Sequence, residues 1–73
     1  MLPPPTPDEV RAARLASGLT VAGAAELAGL GAAPRWAEYE NGSRTCDAAR
    51  WELFLLRVGL HPTLALIVRA APV

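Results

Sequence analysis

Leu19-Thr20-Val21-Ala22-Gly23-Ala24-Ala25-Glu26-Leu27-Ala28-Gly29, then Leu30-Gly31-Ala32-Ala33, then Pro34-Arg35-Trp36-Ala37-Glu38-Tyr39-Glu40-Asn41-Gly42, decides how this chain folds. Thr20 is a good helix cap, and the small residues behind it predict a short helix over 21–28 that Gly29 terminates. Ala24, Ala25, Leu27 and Ala28 carry its packing face. The next four residues show neither strand alternation nor helix length and read as a turn. Pro34 restarts the chain, because its fixed φ suits the first position of a helix. Trp36 and Tyr39 stand three apart on one face of that helix, which is expected to end near Glu40 or Asn41.

Working outward, Thr6-Pro7-Asp8-Glu9 has the pattern of a capping box and opens a helix over 7–17. Val10, Ala13, Leu15 and Ala16 give it a rough inward stripe, and Gly18 a left-handed end. Pro3, Pro4 and Pro5 before it predict an extended, unpaired arm, residues 1–5. Toward the C-terminus, Asp47, or Thr45 just before it, caps a fourth helix in which Trp51, Phe54, Leu55 and Val58 repeat at i, i+3, i+4, i+7. Gly59 ends it and His61-Pro62 bends the chain. An apolar fifth helix is expected over 63–71. No segment alternates like a strand, so the predicted class is all-α: a compact bundle of five short helices spanning 6–73.

The chain has 73 residues, room for one small domain. Fifteen alanines inflate its hydrophobic fraction of 52% and favour helix more than core volume. The seven basic residues, all arginine, balance seven acidic ones, so any nucleic-acid contact depends on where the arginines sit rather than on net charge. One cysteine and one histidine exclude an internal disulfide and a Cys/His zinc site, and neither a metal nor a cofactor is expected. The N-terminus lacks a basic region followed by an apolar run, and the apolar stretch from Leu53 to Val68 is broken by Arg57, His61 and Pro62. Neither a signal peptide nor a membrane span is expected, which points to a soluble, cytoplasmic protein.

Two helices set steeply about a glycine turn need small residues where they touch, and Ala25 and Gly29 fit that requirement for a helix-turn-helix. With Trp36 and Tyr39 inward, the opposite face is left for a ligand, with its arginine free. The run Leu19-Thr20, Ala24-Ala25-Glu26-Leu27-Ala28-Gly29, Trp36, Tyr39-Glu40-Asn41-Gly42 and Arg44 resembles the Cro-type, lambda-repressor-like (XRE) helix-turn-helix regulators, over about residues 8–60. Trp51-Glu52-Leu53-Phe54 followed by Gly59-Leu60-His61-Pro62 is also similar to a subset of very small phage or mobile-element regulators, among them anti-CRISPR-associated repressors.

The resemblance implies a dimeric, sequence-specific repressor that occupies a pseudo-palindromic operator on double-stranded DNA, that of its own operon. Half-site centres would lie about 10–10.5 bp apart or a multiple of that. The reading helix would present Ala33, Pro34, Arg35, Ala37 and Glu38 to bases. Thr20, Asn41, Ser43, Arg44, Asp47 and Arg50 would meet the DNA backbone. The family usually has a polar residue where Val21 stands, and polar groove-facing residues where this chain has Ala33, Pro34 and Ala37. The interval from Gly29 to Trp36 is also one residue longer than in most members. Alanine and proline make no bidentate base contacts, so Arg35 and Glu38 carry direct readout and DNA shape carries the rest. With ~6–8 phosphates neutralised per dimer, log K should fall against log salt with slope about −5 to −7.

Leu56, Leu60, Leu64, Ile67 and Val68 exceed what so small a core takes in, and suit either a two-fold dimer contact or a fifth helix folded back on its own subunit. An alternative function is a protein-interaction module on the same scaffold that has abandoned DNA. A plainer reading of Arg35 and Arg44 pairs them with Glu38, Glu40 or Asp47 on a solvated surface. Cys46 sits at a helix start, where a thiol pKa falls, or serves as a small core filler. No nucleophile–base pair, carboxylate pair or phosphate loop appears, so an enzyme with a small-molecule substrate is not expected.

Overall fold

The computed structural model describes residues 2–62, and the helix expected over 63–71, with Leu64, Ile67 and Val68, lies outside them. Among the described residues the chain is all-helical: α1 (Pro7–Ala16), α2 (Val21–Leu27), α3 (Ala33–Asn41) and α4 (Ala48–Val58), with no strand. None of these helices is long and apolar enough to cross a membrane.

Each helix begins where the sequence chemistry places it, with one shift. Thr6 and Glu9 close a reciprocal box, Oγ1 accepting from the Glu9 amide at 3.2 Å and the Glu9 carboxylate from the Thr6 amide at 3.0 Å. Thr20 Oγ1 accepts from the Gly23 amide at 3.0 Å, and Asp47, not Thr45, caps α4 through the Arg50 amide at 2.8 Å. The shift is at α3, whose first residue is Ala33 rather than Pro34. Ala32 is the extended N-cap and offers no side-chain acceptor. Proline costs nothing at the second helical position either, since that amide has no partner within the helix.

The turn from α2 into α3 is set by Gly29, whose φ of 75° is the left-handed conformation that side chains resist. Its amide donates to Glu26 O at 3.1 Å and the Leu30 amide to Ala25 O at 2.9 Å, the paired bonds of a Schellman ending. Three alanines, Ala24, Ala25 and Ala28, are buried at this end, and their size lets α2 lie close against α3.

The core is aromatic. Trp36 is fully buried, with its ring centroid 4.6 Å from that of Phe54 and 6.2 Å from that of Tyr39. Trp51 stacks on Phe54 from the outside at 6.0 Å, and Val10, Ala13, Cys46 and Leu55 complete the buried set. α1 departs from its expected stripe: Val10 and Ala13 are buried, whereas Ala16 is exposed and Leu15 stands 57% exposed. Five residues past Val10, Leu15 falls on the far side of a helix with a period of 3.6. The N-terminal arm lies against the bundle, with Pro5 buried and Leu2 packed on the core.

Cys46 does not gain a lowered pKa from the start of α4. Burial, reinforced by the Asp47 charge, pushes its thiol up to about 11, which makes it a core filler. The His61 side chain is almost fully buried, and its ring Nε2 lies 2.9 Å from Glu52 Oε1 in a hydrogen bond that ties the end of the described chain to α4.

Candidate functional site

α3 has two chemically distinct faces. Trp36 and Tyr39 point into the core, while Pro34, Arg35 and Ala37 are exposed and Ala33 and Glu38 are half-buried. The five residues expected to read bases therefore share the outward side of one helix.

The inward face is fastened by an ion pair that spacing alone does not reveal. Arg14 of α1 donates from Nε to Glu40 Oε2 at 2.6 Å and from Nη2 to Oε1 at 3.2 Å. The Trp36 indole donates to the same Oε2 at 2.5 Å, and Arg14 Nη1 reaches the Leu19 carbonyl at 3.1 Å. Both charged side chains are largely buried. The Arg14 hydrogen bond, helped by the indole, holds the Glu40 carboxyl below its ordinary value, and the Arg14 pKa is raised in return. Trp36 and Glu40 are four apart, which marks a pair on one helical face, but Arg14 lies 26 positions away in sequence and only the fold brings it in.

The outward face carries a looser cluster. Glu38 Oε1 lies 3.3 Å from Arg35 Nε and 3.4 Å from Arg44 Nε, and all three side chains are 41–49% exposed. The expectation that Arg35 is free is thus corrected: its i,i+3 spacing from Glu38 places the two charges side by side on the helix surface. Arg44 arrives from the loop after α3, where its amide also donates to the Glu38 carbonyl at 3.3 Å. Asn41 shapes that loop, its Oδ1 accepting from the Ser43 amide at 2.8 Å and hydroxyl at 2.6 Å, and Gly42 follows α3 with φ 85°. Asn41, Ser43 and Arg44 are all exposed.

Arg50 has a structural partner. Its Nη1 donates to the Ala28 carbonyl at 2.6 Å, and Arg57, two turns along α4, donates to the Leu27 carbonyl at 2.8 Å. Both satisfy acceptors at the C-terminal end of α2, where the helix dipole favours a cation. Arg50 Nε also lies 3.8 Å from the Asp47 carboxylate, and its side chain is one-third exposed. Arg35 and Arg50 line one cleft of about 310 Å³ with Gly29, Leu30, Gly31 and Ala32. Thr20 and Asp47, expected at the DNA backbone, are the exposed N-caps of α2 and α4.

A second, more apolar cleft of about 450 Å³ lies between Leu2, Pro3, Trp51, Leu55, Leu60 and Pro62 and the outer side of α1. Of the residues expected in a dimer contact, Leu56 is half-buried and Leu60 is 42% exposed. Among the described residues no three His, Cys, Asp or Glu side chains are grouped to hold a metal ion. In comparison with known proteins, no family model matches the chain and no curated protein matches its sequence.

Proposed function

We propose that the chain is a helix-turn-helix DNA-binding domain that acts as a dimeric transcriptional repressor of its own operon. The observation that carries this reading is the two-faced α3: aromatics locked inward, and a small-residue face bearing Arg35 turned to solvent. In such units the second helix enters the major groove and reads bases from its N-terminal half. Ala33, Pro34 and Ala37 let that helix approach closely, and alanine methyls suit the thymine methyl. Arg35 has the reach and the planar donors for a guanine edge. Arg44, beside the Asn41–Ser43 loop, is the backbone anchor.

Because Arg50 already serves the Ala28 carbonyl, each subunit offers fewer cations than its arginine count suggests. About 4–6 phosphates per dimer gives a salt slope of roughly −4 to −5, shallower than sequence counting gives. Repression is steric: the dimer occupies the operator and excludes polymerase.

Fluorescence anisotropy with the duplex upstream of the protein's own gene, against a scrambled duplex at 50 and 200 mM salt, tests the reading. Tighter binding to the upstream duplex, with the stated salt slope, supports it. Equal affinity for both duplexes, or no binding at the lower salt, overturns it. A second reading, a protein-interaction module on this scaffold, draws on the apolar cleft and on exposed Leu15, Leu53 and Leu60. Failure of both duplexes combined with self-association on a sizing column would favour it.

A further inference from the structure

We propose that Glu38 is a specificity-determining residue: it holds Arg35 and Arg44 together on the outward face of α3 and penalises contact with any duplex that offers it no donor. This rests on the DNA reading above. A single carboxylate oxygen, Oε1, faces both guanidinium groups, at 3.3 and 3.4 Å. At 41–49% exposure each pair is a weak, water-screened one, and an incoming phosphate draws either arginine away from it. The carboxylate itself is not displaced. It sits on α3 between the two arginines, so it is carried to the DNA with them.

The chemistry there is asymmetric. Most atoms on the floor of the major groove, and all phosphate oxygens, are acceptors that repel a carboxylate. Cytosine N4 and adenine N6 are donors, and Glu accepting from the cytosine amino group is an established pairing. On a random sequence Glu38 therefore keeps its cost and cancels part of the attraction of Arg35 and Arg44. On a site that places an amino group opposite it, the carboxylate is satisfied and both arginines are released to their partners. The remaining charges on this side do not replace it: Arg50 is bound to the Ala28 carbonyl and beside Asp47, itself a carboxylate. With a net charge of zero, the chain has no general attraction to DNA that would override so local a balance.

Glu38→Gln in the full chain, with Glu38→Asp as the charge-preserving control, tests the assignment in the same two-duplex, two-salt anisotropy experiment. Glu38→Gln should bind the scrambled duplex about 5–10-fold tighter at 50 mM salt, with a salt slope steeper by about one. Its affinity for the upstream duplex should rise less, so that the specificity ratio falls. Glu38→Asp should stay near the parent on the scrambled duplex. An unchanged urea midpoint confirms that the fold is intact. A parental chain that discriminates between the duplexes, with Glu38→Gln discriminating equally well, overturns this proposal alone. A parental chain that binds neither duplex, or both alike, overturns the DNA reading and this proposal with it.

Discussion

Glu38 and Glu40 stand two positions apart on α3, each bracketed by two donors, and they do opposite work. Glu40 receives a two-pronged arginine and an indole at 2.5–3.2 Å with its side chain 13% exposed. Glu38 receives two arginines at 3.3–3.4 Å in the open. Shielding from water separates them. In the low-dielectric interior an ion pair is strong and costly to disrupt, whereas in solvent the same pair is exchangeable. One helix thus has a fixed anchor on its inner side and a replaceable set of partners on its outer side.

The comparison breaks most severely at Trp36. Trp36→Ala removes both the central ring of the core and one donor to Glu40, at a cost of about 3–5 kcal/mol. That is a large share of the stability of a domain this small, and the far-ultraviolet circular dichroism of the variant should lose most of its helical signal at 25 °C. Glu40→Gln is next, at roughly 3 kcal/mol, because it leaves Arg14 largely buried without its counter-charge. Urea titration at pH 7 measures it.

Acid sharpens the same contrast. The Glu40 carboxyl is held below 4.5, its ordinary value, so between that value and its folded pKa the unfolded chain binds more protons than the folded one. Its contribution is present above about pH 4.5 and is lost as pH falls through the folded pKa. Urea midpoints of the parent should decline over that range, and those of Glu40→Gln should decline less. At the alkaline end the Cys46 thiol, pushed up from 9.0 to about 11, loses its proton later in the folded chain. Stability should therefore fall as pH rises from 9 toward 11. Alkylation at pH 8 should run at least about tenfold slower in the native protein than in urea, because the thiol is buried and its thiolate fraction is smaller.

The smallest effects on stability belong to the outer side. Arg35→Ala and Arg44→Ala should each leave the urea midpoint within about 0.5 kcal/mol of the parent. On the DNA reading they separate by another measure. Arg44→Ala should weaken upstream and scrambled duplexes alike and flatten the salt slope by about one to two per dimer, while Arg35→Ala should relax preference at one base pair.

Much of the fold was legible because its signals are local. The Thr6–Glu9 box, the Thr20 and Asp47 caps and the left-handed glycines each act within a few residues, and four helices start and stop within a residue or so of the expected places. The inward position of Trp36 and Tyr39 followed from their spacing. What the sequence concealed depends on contacts between distant segments: Arg14 meeting Glu40, and Arg50 meeting Ala28. Arg50 looked like a surface cation because helical periodicity says which side a residue faces, not which carbonyl waits beyond it. The Arg35–Glu38 pair was readable from its spacing, but the arrival of Arg44 at the same oxygen required the loop around Gly42 to be seen.

The two arginines of α4 that reach the last carbonyls of α2 also have a mechanical consequence. Spaced by two helical turns and gripping adjacent peptide groups, they brace α2 against α4. α3, meanwhile, is steered from behind by α1 through Glu40. The heading of α3 is accordingly set by the helices packed on it, and within the short connector Leu30 is held by its packing on the core while exposed Gly31 and Ala32 are free to drift in sequence over evolutionary time without re-aiming it.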